Sequence, residues 1–207
     1  MPCNSWSLPA LEACPWKVTD GEGAICGDCY ANKGSYTQYP AVKRAQRARF
    51  DWTRESLKTE AGTDAFVGLM VATIRSTRNE YFRVHDSGDL FSPDYVRAWV
   101  RICRALPEVR FWFPTRSWRP LLNMRLPAES RDRWALALCE LAGLANVTVR
   151  PSALFFNAPA PRVPGLHAGS TATDAGFNCP APLQGNACGD CRACWLDRDT
   201  PISYHRH

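Results

Sequence analysis

Ten cysteines in 207 residues set the first constraint on this chain, because eight of them gather near its two ends. Cys3, Cys14, Cys26 and Cys29 lie in the first thirty residues, and Cys179, Cys188, Cys191 and Cys194 in the last thirty. The C-terminal stretch CPAPLQGNACGDCRACW places four thiols within sixteen residues, the last three at every-third spacing. In the N-terminal stretch, eleven residues separate Cys14 from Cys26-Gly-Asp-Cys29. Disulfide frameworks belong to short secreted chains. The opening MPCNSWSLPALEAC has no basic segment followed by an apolar run, so it does not read as a secretory signal. No stretch approaches the roughly 18 apolar residues that span a bilayer. The expectation is a cytoplasmic protein with no membrane partner and with reduced thiols.

Reduced thiols at these spacings read as metal ligands. Cys179, Cys188, Cys191 and Cys194 form a complete set of four, and their Cys-x2-Cys-x2-Cys core matches bacterial ferredoxin spacing. All-cysteine zinc sites use the same turns, normally as two separated pairs, so zinc is the alternative metal. Cys14, Cys26 and Cys29 are three thiols, which leaves one iron of a [4Fe–4S] cluster open. Cys3 can close that site as a fourth ligand. Cys103 and Cys139 sit inside apolar helical patterns and read as small buried hydrophobes.

Between the cysteine sets the pattern is α/β, which predicts one domain. It divides into an N-terminal cysteine motif over 1–34, an α/β core over 35–160, and a loop with the second cysteine motif over 161–207. YPAVKRAQRARFDWTRESLK and ESRDRWALALCELAGL carry helical periodicity, the latter closing near Gly143. In TDAFVGLMVATIRSTR, Phe66, Leu69, Met70 and Ile74 share one helical stripe behind Thr63 as cap. Ser92 and Pro93 open SPDYVRAWVRICRAL as N-cap and first helical residue. EYFRVHDSG, VRFWFPTRS and NVTVRPSA read as strands, with further candidates at NSWSLPA, ALFF and LHAGST. Alternating strands and helices predict a parallel sheet, with ligands at the carboxyl ends of its strands. Those ends carry His85-Asp86-Ser87-Gly88-Asp89, then Thr115-Arg116-Ser117, then Arg150 and Ser152. His85, Asp86 and Arg116 are the candidate catalytic groups.

The motifs SLPALEACP…CGDCYANKG, FRVHDSGDLFSPDYVRAWVRI, FPTRS and CPA…CGDCRACW together resemble the phage and plasmid gene product 88 family across nearly the whole chain. A cysteine triad ending Cys-x-x-Cys-Tyr, ahead of a βα series with Ser-Gly-Asp after an early strand, more distantly resembles the radical S-adenosylmethionine superfamily. That resemblance implies a partial parallel (βα) barrel-like sheet flanked by metal-binding segments. It also implies a triad-held [4Fe–4S] cluster and a bound S-adenosylmethionine. Ser87, Gly88 and Asp89 match its amino-binding loop, and Tyr30 matches the aromatic beside the last cysteine. Thr115 and Ser117 join them as cofactor-binding candidates. The superfamily's usual first gap is three residues rather than eleven.

Net charge is +5, with much of the excess in VKRAQRARF. Basic residues over 42–54, led by Lys43, Arg44, Arg47 and Arg49, read either as a solvated helix face or as a phosphate-contacting one. Three readings follow. The first is a radical-type enzyme with an auxiliary C-terminal cluster and an electron donor as partner. The second is a metal-stapled nucleotide- or nucleic-acid-binding protein without catalysis. The third is an iron–sulfur enzyme of other chemistry.

Overall fold

A computed structural model of the chain describes residues 3–206. In chain order the elements are β1 (Asn4–Trp6), α1 (Ser35–Gln38), α2 (Pro40–Ser56), α3 (Glu60–Ser76), β2 (Tyr81–Val84), α4 (Pro93–Ala105) and β3 (Arg110–Thr115). They continue with α5 (Arg119–Leu122), α6 (Ala128–Ala142), β4 (Val147–Pro151), β5 (Ser170–Thr173), α7 (Ala193–Leu196) and β6 (Ile202–His205). Strands β1, β2, β3 and β4 form one parallel sheet in that order. β5 and β6 form a second parallel pair, and a parallel bridge between Ser152 and Ser170 joins it to the end of β4. Strands laid side by side in chain order need crossovers of one hand, which places their helices on a single face.

Side chains alternate across that sheet. Phe82, Val84, Phe111, Phe113, Val147 and Val149 belong to the buried core shared with the helices. Trp99 of α4 sits between Phe82 and Phe113, at ring-centroid distances of 6.3 and 5.6 Å. The intervening residues Tyr81, Trp112 and Thr148 meet the C-terminal segment instead. Trp195 of α7 packs edge-on against Tyr81 (5.7 Å) and Trp112 (5.2 Å). Its indole N–H donates to the Phe82 carbonyl (3.0 Å), and Thr148 donates to its own carbonyl (2.7 Å). The segment carrying the second cysteine set is therefore packed on the sheet.

Ser92 caps α4 by accepting from the Tyr95 amide, with Pro93 opening the helix. The cap of α3 is Thr59, which accepts from the Gly62 amide; Thr63 lies one turn inside and donates to the Thr59 carbonyl. Phe66, Met70 and Ile74 are buried, whereas Leu69 is exposed, because the stripe is narrower than the apolar spacing suggests. Cys103 is buried and Cys139 exposed. NSWSLPA and LHAGST each contribute to a strand, while the ALFF stretch makes only an isolated antiparallel bridge from Phe155 to Ala24. Strand β6 lacks an apolar run and has no counterpart in the sequence reading. The fold is mixed α/β with a parallel sheet; among the described residues the sheet does not close into a barrel. No helix among the described residues is long and apolar enough to cross a membrane.

Trp195→Ala removes the indole that packs on Tyr81 and Trp112 across the second face. The expected cost is about 3–5 kcal/mol in urea unfolding. Limited proteolysis should then cut first within residues 176–206, ahead of the helical side.

Candidate functional site

The site is assembled from loops at the carboxyl ends of the strands. The long segment after β1 turns back over the sheet edge and is held there by main-chain bonds. Leu8 and Ser87 exchange two contacts: the Leu8 amide donates to the Ser87 carbonyl (2.9 Å), and the Ser87 hydroxyl donates to the Leu8 carbonyl (2.8 Å). The Asp89 amide donates to Ala13 (3.1 Å), next to Cys14, and the Ile25 amide donates to Leu154 (2.9 Å), beyond β4. Gly88 makes this approach feasible. Its φ is +85°, and a Cβ there would stand 2.7 Å from the Leu8 Cβ.

Asp89 ties the same loop to the next one. Its carboxylate accepts from the Thr115 hydroxyl (2.6 Å), its neighbour's amide at Leu90 (2.7 Å) and the Arg116 amide (2.8 Å). Thr115 in turn accepts from the Ser117 amide (2.9 Å), and the Ser117 hydroxyl donates to Leu90. Burial pushes the Asp89 carboxyl upward, against the pull of these donors. Ser87, Asp89, Thr115 and Ser117 are thus each hydrogen-bonded within the chain and lock three loops, while Ser87, Gly88 and Asp89 also line the cavity described next.

What they leave facing inward is the candidate site. Cys14, Cys26 and Cys29 line one cavity of about 420 Å³ with Tyr30, Asp86, Arg116 and Ser152. Burial is the main cause that pushes Cys14 up to about 12, with Asp89, Cys26 and Cys29 adding to it. The Cys29 thiol is also raised by burial, while the amides of Ala31 and Asn32 and the Arg116 guanidinium favour its thiolate. Bound metal would deprotonate such thiols. Arg116 Nε donates to the Ala153 carbonyl (3.1 Å), which aims the rest of its guanidinium at the cavity. Asp86 Oδ2 accepts from Tyr36 (2.7 Å), while Oδ1 is buried without a partner among the described residues. Tyr30 donates to the Asp86 carbonyl, and Arg83 donates to Tyr30 (3.0 Å) and lies over the Trp112 ring (4.8 Å).

His85 sits differently from a catalytic base. It is buried, its Nε2 lies 3.0 Å from the Tyr95 hydroxyl, and its φ is +70°. Burial and then Arg83 push it down to about 3, so it stays neutral at ordinary pH.

The second cysteine set lies by the other end of β1. Cys194 is 3.4 Å from the Tyr204 hydroxyl, and burial pushes it up to about 11. Cys179 and Cys188 stand in its electrostatic range, and Cys191 stands in that of Cys179. Cys3 senses Cys188 and Arg83. It precedes the three-residue strand β1, whereas the triad follows it. Arg150 is fully buried and donates to the carbonyls of Ala168 (2.8 Å), Thr200 (3.0 Å) and Asp197; its Nε has no partner among the described residues. Among the described residues no three His, Cys, Asp or Glu side chains converge on a point that one metal ion would occupy.

On the basic helix, Arg47 pairs with Glu12 and Asp51. Arg49 donates to Ser7 and covers Trp6, and Arg54 lies over Phe50.

The family model for gene product 88 matches residues 1–197. The chain belongs to the gene product 88 family. The family's Gene 88 protein of Mycobacterium phage D29 is 54% identical over 110 residues, which cover 48% of this chain and 45% of that protein. The Gene 88 protein of Mycobacterium phage L5 is 34% identical over 112 residues, covering 48% and 46%. The chain spans about half the length of the curated relatives it matches. No solved structure matches. The likeness to the radical S-adenosylmethionine superfamily, drawn from short sequence motifs, finds no support in these comparisons.

Folded His85 stays neutral down to about pH 3, while an unfolded histidine takes its proton near 6.5. The unfolded chain therefore binds more protons between those values, and stability falls as pH falls through that window. His85→Asn, which tolerates the positive φ, should remove about 1.4 kcal/mol of that loss per pH unit. Urea unfolding of both proteins at pH 6.5 and 5 should show stability losses over the interval that differ by about 1.7 kcal/mol.

Proposed function

We propose that the protein is an iron–sulfur enzyme of radical S-adenosylmethionine type. In this reading Cys14, Cys26 and Cys29 hold an open [4Fe–4S] cluster, and a second cluster sits in the C-terminal set. One observation carries the reading: the three cysteines share a cavity with the loops that follow β2, β3 and β4, at the carboxyl edge of a parallel sheet. Three thiols leave one iron for a ligand, and the volume suits a nucleoside-sized molecule. When bound, the cluster supplies one-electron reductive cleavage of the cofactor's sulfonium.

The chain's own residues hold and shield. Asp86 takes the role that the resemblance gives to Asp89, because Asp86 alone keeps a carboxylate oxygen without a donor. It would accept from the cofactor's ammonium. Tyr36, held protonated by burial and by Asp86, fixes that carboxylate's orientation. Arg116 would pair with the cofactor's carboxylate, its guanidinium fixed by Ala153. Trp112, Pro114 and Phe156 line the cavity and exclude water. Of the basic residues that would carry the nucleic-acid-binding reading, Arg47 and Arg49 are engaged within the chain.

The test is anaerobic isolation followed by iron, sulfide and zinc analysis, then reduction with S-adenosylmethionine and assay for 5′-deoxyadenosine. The expected result is about eight irons per chain and measurable 5′-deoxyadenosine, lost in Cys29→Ala. Asp86→Asn should weaken cofactor binding by about 1.5–3 kcal/mol. Stoichiometric zinc without iron, or intact clusters with no cofactor cleavage, contradicts the proposal.

A further inference from the structure

The cavity runs from a buried floor to an exposed mouth. Trp112, Asp89 and Ser170 are among its buried members, whereas Asp28, Tyr30 and Arg206 are its exposed ones and mark the way in. Arg206 follows directly on β6, at the carboxyl end of the β5–β6 pair. Its amide donates to the Thr173 carbonyl (2.9 Å), and its guanidinium lies 4.2 Å from the Phe156 ring centroid. Phe156 is held in turn by its amide, which donates to the Gly23 carbonyl (2.8 Å). Backbone and side chain of Arg206 are thus both placed before a ligand arrives.

The guanidinium is placed but not satisfied. Among the described residues none of its N–H groups has an acceptor within hydrogen-bond distance. Asp174 Oδ1 stands 3.8 Å away, in a pair whose side chains are 43% and 56% exposed. Such an exposed pair contributes little. The other oxygen of Asp174 already accepts from Asn157 (2.7 Å). Lys17 lines the same cavity, and among the described residues its ammonium has no acceptor either. The carboxylates that share the lining are engaged elsewhere. Lys33 takes Asp28, three donors take Asp89, and Tyr36 orients Asp86. Two cations therefore face one cavity with no anion of the chain assigned to them. A ligand with about two negative charges matches them, and a phosphomonoester carries about −1.5 to −2 at pH 7 with three acceptor oxygens. A guanidinium stacked on a ring keeps its in-plane donors for such an anion.

We infer that Arg206 and Lys17 bind the phosphate of a small phosphomonoester substrate, with Arg206 at the mouth of the cavity. The two cations stand in one concave site, which suits a single terminal phosphate; a nucleic-acid backbone is followed by a track of cations along a groove. The cavity of about 420 Å³ is also of small-molecule size. The inference rests on the reading above in calling this ligand the substrate, and the binding itself needs neither iron nor cofactor.

The test is titration calorimetry on the anaerobically isolated protein, with ribose 5-phosphate, adenosine 5′-monophosphate, adenosine and succinate as ligands. Both phosphomonoesters are expected to bind, and adenosine and succinate to bind far more weakly. Tighter binding of adenosine 5′-monophosphate identifies a nucleotide substrate, and tighter binding of ribose 5-phosphate a sugar phosphate. Arg206→Gln and Lys17→Gln should each weaken binding by about tenfold or more. Lys43→Gln, on α2 and outside the cavity lining, should leave the affinity unchanged. Absence of binding by both phosphomonoesters overturns the inference, and so does an equal loss in Lys43→Gln, which would make the attraction one of overall charge. Adenosine or succinate binding as tightly as the phosphomonoesters also overturns it, because the phosphate is then not what is recognised. A single-stranded oligonucleotide that displaces the phosphomonoesters at lower concentration puts a polymer in the site instead. Formation of 5′-deoxyadenosine is read separately. A protein that binds phosphomonoesters without cleaving the cofactor fails the radical reading alone, and one that cleaves the cofactor without binding them fails this inference alone.

Discussion

The buried carboxylate of Asp89 is the contact on which the arrangement of the site depends. A carboxylate at this depth is costly unless its oxygens are engaged. Here Thr115, Leu90 and Arg116 supply three donors, and the Asp89 amide reaches back to Ala13. One residue thereby fixes the loop after β2 against the loop after β3 and against the segment that leads to Cys14. Ser87 and Gly88 complete the lock through Leu8. The cavity exists because these loops are held apart from the sheet edge in a defined way. Asp86 and Arg116 line it, held by Tyr36 and by the Ala153 carbonyl.

The opposite face of the sheet follows from a second constraint. Crossovers of one hand leave one face of a parallel sheet without helices, and that face still carries Tyr81, Trp112 and Thr148. The C-terminal segment covers it through Trp195. Both cysteine sets are thus attached to one sheet, the triad beyond the carboxyl end of β1 and the second set near its start. Tyr204 belongs to both neighbourhoods, lining the triad's cavity with its hydroxyl on Cys194.

Much of this was legible in the residues. The strong periodicities of α2, α4 and α6 and the three apolar strands follow from local pattern, and the parallel sheet follows from their alternation. The polar strand ends were correctly placed at one edge. Their individual roles were not legible, because sequence shows donors and acceptors without showing which ones pair. Asp89 and Asp86 look alike in HDSGD, and only the fold shows that Thr115 and Arg116 occupy the first and leave the second with a free oxygen. His85 reads as a base by residue type; the fold shows it buried at the cavity wall with its Nε2 beside the Tyr95 hydroxyl. Strand β6 and the bridge at Ser152 and Ser170 carry too few apolar residues to register as a pattern.

The central claim is that Cys14, Cys26 and Cys29 leave one iron open to a ligand inside the cavity. Electron–nuclear double resonance on the reduced, iron-loaded protein, with S-adenosylmethionine labelled at its amino nitrogen and carboxylate oxygens, tests it most directly. The account predicts hyperfine coupling from both labels to the cluster of the triad, retained when the four C-terminal cysteines are replaced by alanine. A reduced triad cluster that shows no coupling to either label, at cofactor concentrations far above that of the protein, would contradict it.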